Sequence, residues 1–350
     1  MRIFLDDSGL HDSFYPLTTL RSFKELRTGI FSVQERWSCL AKKQHISIEW
    51  VDNPDTADLI VPADRIPTDE VNLHTLSNQE AFIKNCFIHI QYVWDVIRYN
   101  AILIHEDVKL MDKKPFLQDH PFAQHIGEHP MYVHENAIME HCFINTSDGP
   151  VIIDESAHVM SGAMLRGPLY IGKQAVVKMG SQLYGGTNIG MACTVGGEIK
   201  NSIIHAFSNK GHHGYLGDSY IGSWCNLGAG TTSSNLKNTA GAIRMWNHQE
   251  KQFKVGPSKI GVIMGDHVKT AIDTGFNSGT MVSSFSNVFT KNGKQAPKFL
   301  PMFSWGLDDQ VFYKLDNLLE EINRWMEMKH QRLSDAEREK IISLYKFYTP

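Results

Sequence analysis

Aliphatic side chains stand six residues apart at Ile153, Val159, Leu165, Ile171, Val177, Leu183, Ile189 and Val195. Two positions before each next aliphatic residue lie Ala157, Ala163, Leu169, Ala175, Ser181, Thr187 and Cys193, all small except the leucine. A period of six with this internal order predicts a prism of short strands. Each hexad supplies one strand and a turn, three hexads close one triangular coil, and the aliphatic residue points inward onto its counterpart in the next coil. The small residue sits at the corner, where a larger side chain has no room. No hexad buries its own face, so stability comes from stacking. Gly172, Gly190 and Gly196 suit the turn after the aliphatic position. An antiparallel sandwich would add apolar residues at the second and fourth positions and would not hold phase for so long.

The phase stops after Lys200. It returns at Ile221 and Leu227, with Cys225 and Thr231 at the corners, then at Met264, Thr270, Phe276 and Val282, with Val268, Thr274 and Thr280 at the corners. The two interruptions, about 201–220 and 234–262, are expected to leave the prism as loops, where function usually sits. Between Pro130 and Val151 the period is less clean. Ahead of the repeat, short apolar runs at Arg2–Leu5, Ile46–Val51, Ala57–Val61 and Phe87–His89 predict strands, and Gln79–Asn85 a helix. After it, Leu315, Leu318, Leu319, Ile322, Trp325 and Met326 share a helical face. Ser334-Asp335-Ala336-Glu337 is a capping box that opens a last helix. These helices are expected on the prism end or on a neighbouring subunit, because an open solenoid end exposes edge strands. The expected organisation is a small α/β domain over 1–110, a left-handed parallel β-helix over 111–290 and a helical segment over 291–350.

Composition narrows the function. Of 350 residues, 42% are hydrophobic and 21% charged, as in globular chains. The formal charge of −4 comes without a basic run, which argues against nucleic-acid or anionic-membrane partners. Cys39, Cys86, Cys142, Cys193 and Cys225 are odd in number and never spaced CxxC, so reduced thiols in a cytoplasm are expected rather than disulfides or zinc. The opening Met1-Arg2-Ile3-Phe4-Leu5-Asp6-Asp7 is too short and too acidic for a signal peptide, and no stretch reaches the length of a membrane span.

Around the first interruption the chain reads Glu198-Ile199-Lys200, then Ser208-Asn209-Lys210-Gly211-His212-His213-Gly214-Tyr215-Leu216-Gly217-Asp218, then Ile221-Gly222 and Asn226-Leu227-Gly228-Ala229-Gly230-Thr231, ending at Asn235. A lone histidine in a polar loop is ordinarily solvated, which is the reading for His205 and His213. Adjacent His212 and His213 are poorly disposed to share one metal ion, and no third ligand is evident. Asn226 by itself reads as a turn residue, and Lys200 as surface charge.

The joint spacing resembles the acetyltransferase domain of the bacterial bifunctional N-acetylglucosamine-1-phosphate uridyltransferase/glucosamine-1-phosphate N-acetyltransferase family. That domain carries Glu-x-Lys, Gly-His-x-x-Tyr-Leu-Gly-Asp, Ile-Gly-x-x-x-Asn-Ile-Gly-Ala-Gly-Thr and a final Asn at the same distance from the His. A variant branch is closer still. Its Pro-Leu-Thr-x-x-Arg and Glu-Leu-Arg-x-Gly motifs match Pro16 to Arg21 and Glu25 to Gly29. Its Ser-Asn-Lys-x-His and Phe-x-Trp-Gly motifs match Ser208 to His212 and Phe303 to Gly306. The resemblance implies an acetyl-CoA-dependent N-acetyltransferase acting on an amino-sugar phosphate, with glucosamine-1-phosphate favoured. His212 is then the general base, since an imidazole titrates close to neutrality, and the Ala229 N–H the oxyanion donor. Lys200 and Tyr215 are the phosphate contacts, and Asn226 and Asn235 hold sugar and acyl group. It also implies a homotrimer. The family's phosphate-binding Arg falls at Tyr184, with Arg166, Arg244, Lys251 and Lys254 as replacements to weigh.

The first domain departs from the family's nucleotidyltransferase. After Ile3–Leu5 comes Asp6-Asp7-Ser8-Gly9-Leu10, not a Gly-rich phosphate loop. Arg21, Lys24 and Arg27 of the branch motif are the candidate nucleotide contacts, or else helix-surface charges. Asp6, Asp7 and Asp95 are candidate Mg²⁺ ligands should this domain use UTP. The alternative function is a sugar-1-phosphate nucleotidyltransferase whose β-helix serves trimerisation or regulation. A non-enzymatic platform is the third.

Overall fold

The computed structural model describes residues 1–76, 86–114, 116–117, 119–289, 295–307 and 311–349. The predicted helix at Gln79–Asn85 lies outside the described residues.

Three parallel sheets of eight, ten and eight strands form the left-handed prism; in the ten-stranded sheet Phe116–Leu117 adds one antiparallel strand at the edge. The chain visits the faces in turn, beginning at Ala123–Ile126 on the first, Met131–His134 on the second and Ile138–Met139 on the third. The prism therefore starts ahead of the stretch 130–151 where the period is unclean. The eight aliphatic residues of the repeat all point inward and are buried, as are the seven corner residues between them.

The two interruptions have different outcomes. Residues 234–262 do leave the prism, as an antiparallel hairpin of Arg244–Asn247 on Gln252–Val255. Residues 201–220 do not. Ile203–Ile204, Asn209–Lys210 and Tyr215–Gly217 continue the three faces in register. Three local changes hide the period, one being that the inward residues of the first and second faces stand five apart at Ile199 and Ile204 and at Leu216 and Ile221. The turn from third to first face holds four residues in the neighbouring coils (178–181, 211–214, 228–231) but only Gly196 and Gly197 between Val195 and Glu198. And the inward position after Val195 on the third face is taken by Lys210.

The region before the prism is a three-stranded parallel sheet in the order Glu49–Trp50, Arg2–Asp6, Leu59–Pro62, with helices Val33–Lys43 and Asn100–Leu110. Arg36 and Asp107, both fully buried, join these helices through two parallel hydrogen bonds of 2.6 and 2.7 Å. Asp107 also accepts from the Ile30 N–H at 2.7 Å, which fixes the loop that meets the prism. There, Asn100 Nδ2 donates to the Gly186 carbonyl at 2.7 Å, and Ile30, Ile104 and Val108 pack on Tyr132, Ile152 and Tyr170 of the second face.

The corner between second and third faces carries an aromatic ladder of Phe207, Trp224, His267, Phe285 and Phe303, each in the left-handed backbone region. Neighbouring rings are near-parallel, 4.3–6.3 Å apart, which recovers contact energy for a conformation that L-residues seldom adopt. Helices Leu315–Glu327 and Asp335–Tyr348 lie along this corner. Tyr345 meets Phe303 edge-on, Lys329 Nζ donates to the Ala192 carbonyl and Lys340 Nζ to that of Leu20. The helices thus cover a flank of the prism rather than its end, because the ladder offers an apolar strip there. The Ser334–Glu337 capping box forms as read.

Candidate functional site

Register fixes the first part of the site. Asn209 pairs with Asn226 on the third face, and the turns that follow, 211–214 and 228–231, are equal in length. His212 therefore lies beside Ala229, one strand spacing away (roughly 4.8 Å). The Gly230 N–H, donating to the His213 carbonyl at 3.2 Å, ties the two turns. Among the described residues, no acceptor takes the Ala229 N–H, and the exposed His212 imidazole has no hydrogen-bond partner. The N–H of Met179, in the equivalent turn three coils back, is equally free, so the neighbouring imidazole is what distinguishes Ala229.

The second part lies across the first face. Tyr215 follows the His212 turn, and its phenol oxygen accepts from Asn235 Nδ2 at 3.1 Å. The ring can lie flat because position 217 is glycine: a Cβ there would sit 2.2 Å from the phenol oxygen. Asp218, at the far edge of the face, accepts from Asn235 Nδ2 at 2.5 Å and from Asn201 Nδ2 at 2.6 Å. Burial, then the charges of Asp218 and Glu198, raise the Tyr215 pKa, so the phenol stays protonated at neutral pH. Asp218 is a positioning residue to which sequence reading gave no role, although it stands inside the motif. The signal is its place at a corner in the left-handed region, where a short polar side chain can bond locally.

Lys200 is exposed on the same face, next to Gly217, and its ammonium has no partner among the described residues. Asn226 is half-buried on the third face and accepts from Asn209 at 3.4 Å. So Tyr215 and Asn235 are in contact, His212 and Ala229 are neighbours in register, and Asn226 sits on the strand leading into the Ala229 turn. Tyr184 and Arg166 continue the outward column of Lys200, and Arg166 is held by Asp148 at 2.6 Å. Arg244, Lys251 and Lys254 are engaged within the hairpin, with Phe253, His248 and Glu250. Lys178, which sequence reading passed over, reaches past the two-residue turn to Gly211: its Cδ lies 3.6 Å from where a Gly211 Cβ would stand.

Of the three candidate nucleotide contacts, Arg21 and Arg27 both face His205 and Tyr220, and Lys24 turns away to Asp52. Arg21 is mostly buried against the prism, donating to Asp266 at 2.7 Å and to Ser223 at 3.0 Å. Arg27 bonds the Ile30 carbonyl and Glu35, and Lys24 faces Asp52 at 3.8 Å at the surface. Nor is His205 solvated. Its Nδ1 lies 2.8 Å from the Ser223 hydroxyl, and burial, then the charges of Arg21 and Arg27, push its pKa well below the ordinary value. Arg27 and His205 line a cavity of about 520 Å³ between the first domain and the second face. Asp95 accepts from the backbone N–H groups of Gln91 and Tyr92 and Asp6 from that of Ser8, and no group of three or more metal-binding side chains forms among the described residues, so a Mg²⁺ here would be held by Asp6 or Asp7 together with the phosphates of a nucleotide. No helix among the described residues is long and apolar enough to cross a membrane.

Comparison with known proteins points the same way over part of the chain. Residues 2–52 match the family described as sugar nucleotidyl transferase. A bifunctional sugar-1-phosphate nucleotidylyltransferase/acetyltransferase of Sulfurisphaera tokodaii is 29% identical over 143 residues, 40% of this chain and 35% of that protein. The bifunctional protein GlmU of Methanocaldococcus jannaschii is 40% identical over 87 residues, and that of Bordetella parapertussis 35% over 94; each alignment covers 25% of this chain and 21% of the relative. The resemblance read from the motifs is thus borne out, and the matched part spans only a fifth to a third of these relatives' length. A solved UDP-N-acetylglucosamine acyltransferase of Arabidopsis overlaps 65% of this chain and 89% of its own at 15% identity, but with a TM-score of 0.23 it carries no weight.

Proposed function

We propose that the chain is an acetyl-CoA-dependent N-acetyltransferase whose acceptor is an amino-sugar phosphate, glucosamine-1-phosphate in the first instance. The observation that carries this is an unpartnered imidazole, His212, one strand away from an unpartnered N–H, Ala229. The neutral amine attacks the thioester carbonyl and forms the C–N bond. His212 takes the ammonium proton as the tetrahedral intermediate forms, and the Ala229 N–H stabilises the oxyanion. Collapse breaks the C–S bond, and the imidazolium returns the proton to the departing thiolate. Lys200 supplies a free cation for the phosphate, and Tyr215, Asn226 and Asn235 supply polar contacts to sugar and acyl group.

The test is release of free CoA thiol from acetyl-CoA and glucosamine-1-phosphate. The His212→Ala variant should lose roughly 10²–10⁴-fold of the rate; an undiminished variant would remove His212 from its role. The family match over residues 2–52 favours a second activity, transfer of a nucleotidyl group from UTP to a sugar-1-phosphate. Pyrophosphate release, assayed separately, decides whether the first domain performs it. A cytoplasmic homotrimer goes with the same reading. Light scattering at three times the chain mass is the expected outcome.

A further inference from the structure

Lys210 occupies an inward position on the third face, between Val195 in the preceding coil and Leu227 in the next. It is 1% exposed. Its stem fills the column like an aliphatic side chain, and its Nζ donates to two carbonyls, His212 at 2.6 Å and Gly196 at 3.2 Å. Both lie in the stacked turns between third and first faces. In the four-residue turns 178–181 and 228–231 the residue in the place of Gly196 gives its carbonyl to an N–H three residues on, Lys178 to Ser181 and Gly228 to Thr231. The two-residue turn has no such donor, and Lys210 takes the orphaned oxygen. The second bond, to His212, does something else: it holds the peptide from which the candidate base projects.

Stability alone is nearly balanced here, since the two carbonyls that the ammonium satisfies offset the desolvation of its charge. A methionine would fill the column without desolvation, and burial alone pulls the Lys210 pKa down to about 8. With the imidazole itself unpartnered, its backbone is the only part of His212 that the described residues hold. We propose that Lys210 is a positioning residue for the acetyl transfer, fixing the His212 peptide against the short turn so that the imidazole faces the acceptor amine. This rests on the acetyltransferase reading.

Lys210→Met in the full chain tests it, with Lys210→Gln, whose side-chain amide keeps a donor, as the conservative partner. Expected is a kcat about 10–100-fold lower in Lys210→Met, the scale on which small misplacements act, with KM for both substrates within about twofold. Lys210→Gln should keep more of the rate, the loss of kcat in Lys210→Met should persist at temperatures where both proteins are fully folded, and amide hydrogen exchange over 211–214 should quicken. Wild-type kcat in Lys210→Met, or a loss that tracks a lower melting temperature, overturns the positioning role while leaving a His212-dependent enzyme standing. If wild-type protein transfers no acetyl group, or His212→Ala transfers it undiminished, the acetyltransferase reading itself fails and takes this proposal with it.

Discussion

The second face of the prism turns Tyr132, Ile152, Tyr170, Ile203 and Tyr220 outward, and each is no more than 7% exposed. The first face turns outward Gln124, Phe143, Met164, Gln182 and Tyr215, with Phe143 51% and Met164 45% exposed. Inside, the two faces are alike: the same aliphatic column closes both. The difference lies in what the rest of the chain does. The first domain lies over the second face, and the candidate site sits on and beside the first. A solenoid makes its faces equivalent inside, so the outward columns record which face is structure and which is surface.

Four changes sharpen or break that contrast. The largest effect belongs to the covered face. Asp107→Ala leaves the buried Arg36 guanidinium without its counter-charge and should cost about 3–5 kcal/mol in denaturant unfolding; a loss below about 1 kcal/mol would mean that this pair does not hold the two helices and the Ile30 loop that meet the prism. Next comes the pH dependence of Lys210, at the edge of the open face. Folding lowers its pKa from 10.5 to about 8. Between these values the unfolded chain holds a proton that the folded chain has released, so stability rises with pH across that window. Relative to Lys210→Met, wild type should gain at most about 3 kcal/mol from pH 8 to 10.5, and nothing below. Urea midpoints of both proteins across that range measure it, and parallel curves would place the amine in water.

Gly217→Ala is expected to lift the Tyr215 ring off the open face, breaking its contact with Asn235. The loss of about 1 kcal/mol should be read as a several-fold higher KM for the sugar phosphate, and an unchanged KM would detach Tyr215 from binding. The smallest effect should come from Met164→Ser, within about 0.5 kcal/mol on a face open to water. A larger loss that depends on protein concentration would reveal a second copy covering it.

Much of this was legible in the residues. The period of six fixed the inward column and the corners because burial inside a narrow prism admits one residue size at each place, and eight hexads repeat the constraint. The capping box at Ser334 and the apolar face of the helix after Lys314 were equally local. The motif from Glu198 to Asn235 named the candidate site. The stretch 201–220 was misread because sequence period registers only residues that obey it. A turn two residues short and corners one residue short after Ile199 and Leu216 shift the phase, and Lys210 replaces an aliphatic residue with a charged one, so the coil went unseen where it is most specialised.

The chain by itself determined that there would be coils, how they stack, and which motif marks a site. It did so because a repeated pattern of φ, ψ and burial is a local property. Tertiary structure decided which face is covered, that Arg21 docks on Asp266 while Lys24 faces Asp52, and that a lysine inside the prism grips the carbonyl of His212. Those outcomes depend on hydrogen bonds between residues distant in sequence, or on the length of a neighbouring turn, and no periodicity encodes either.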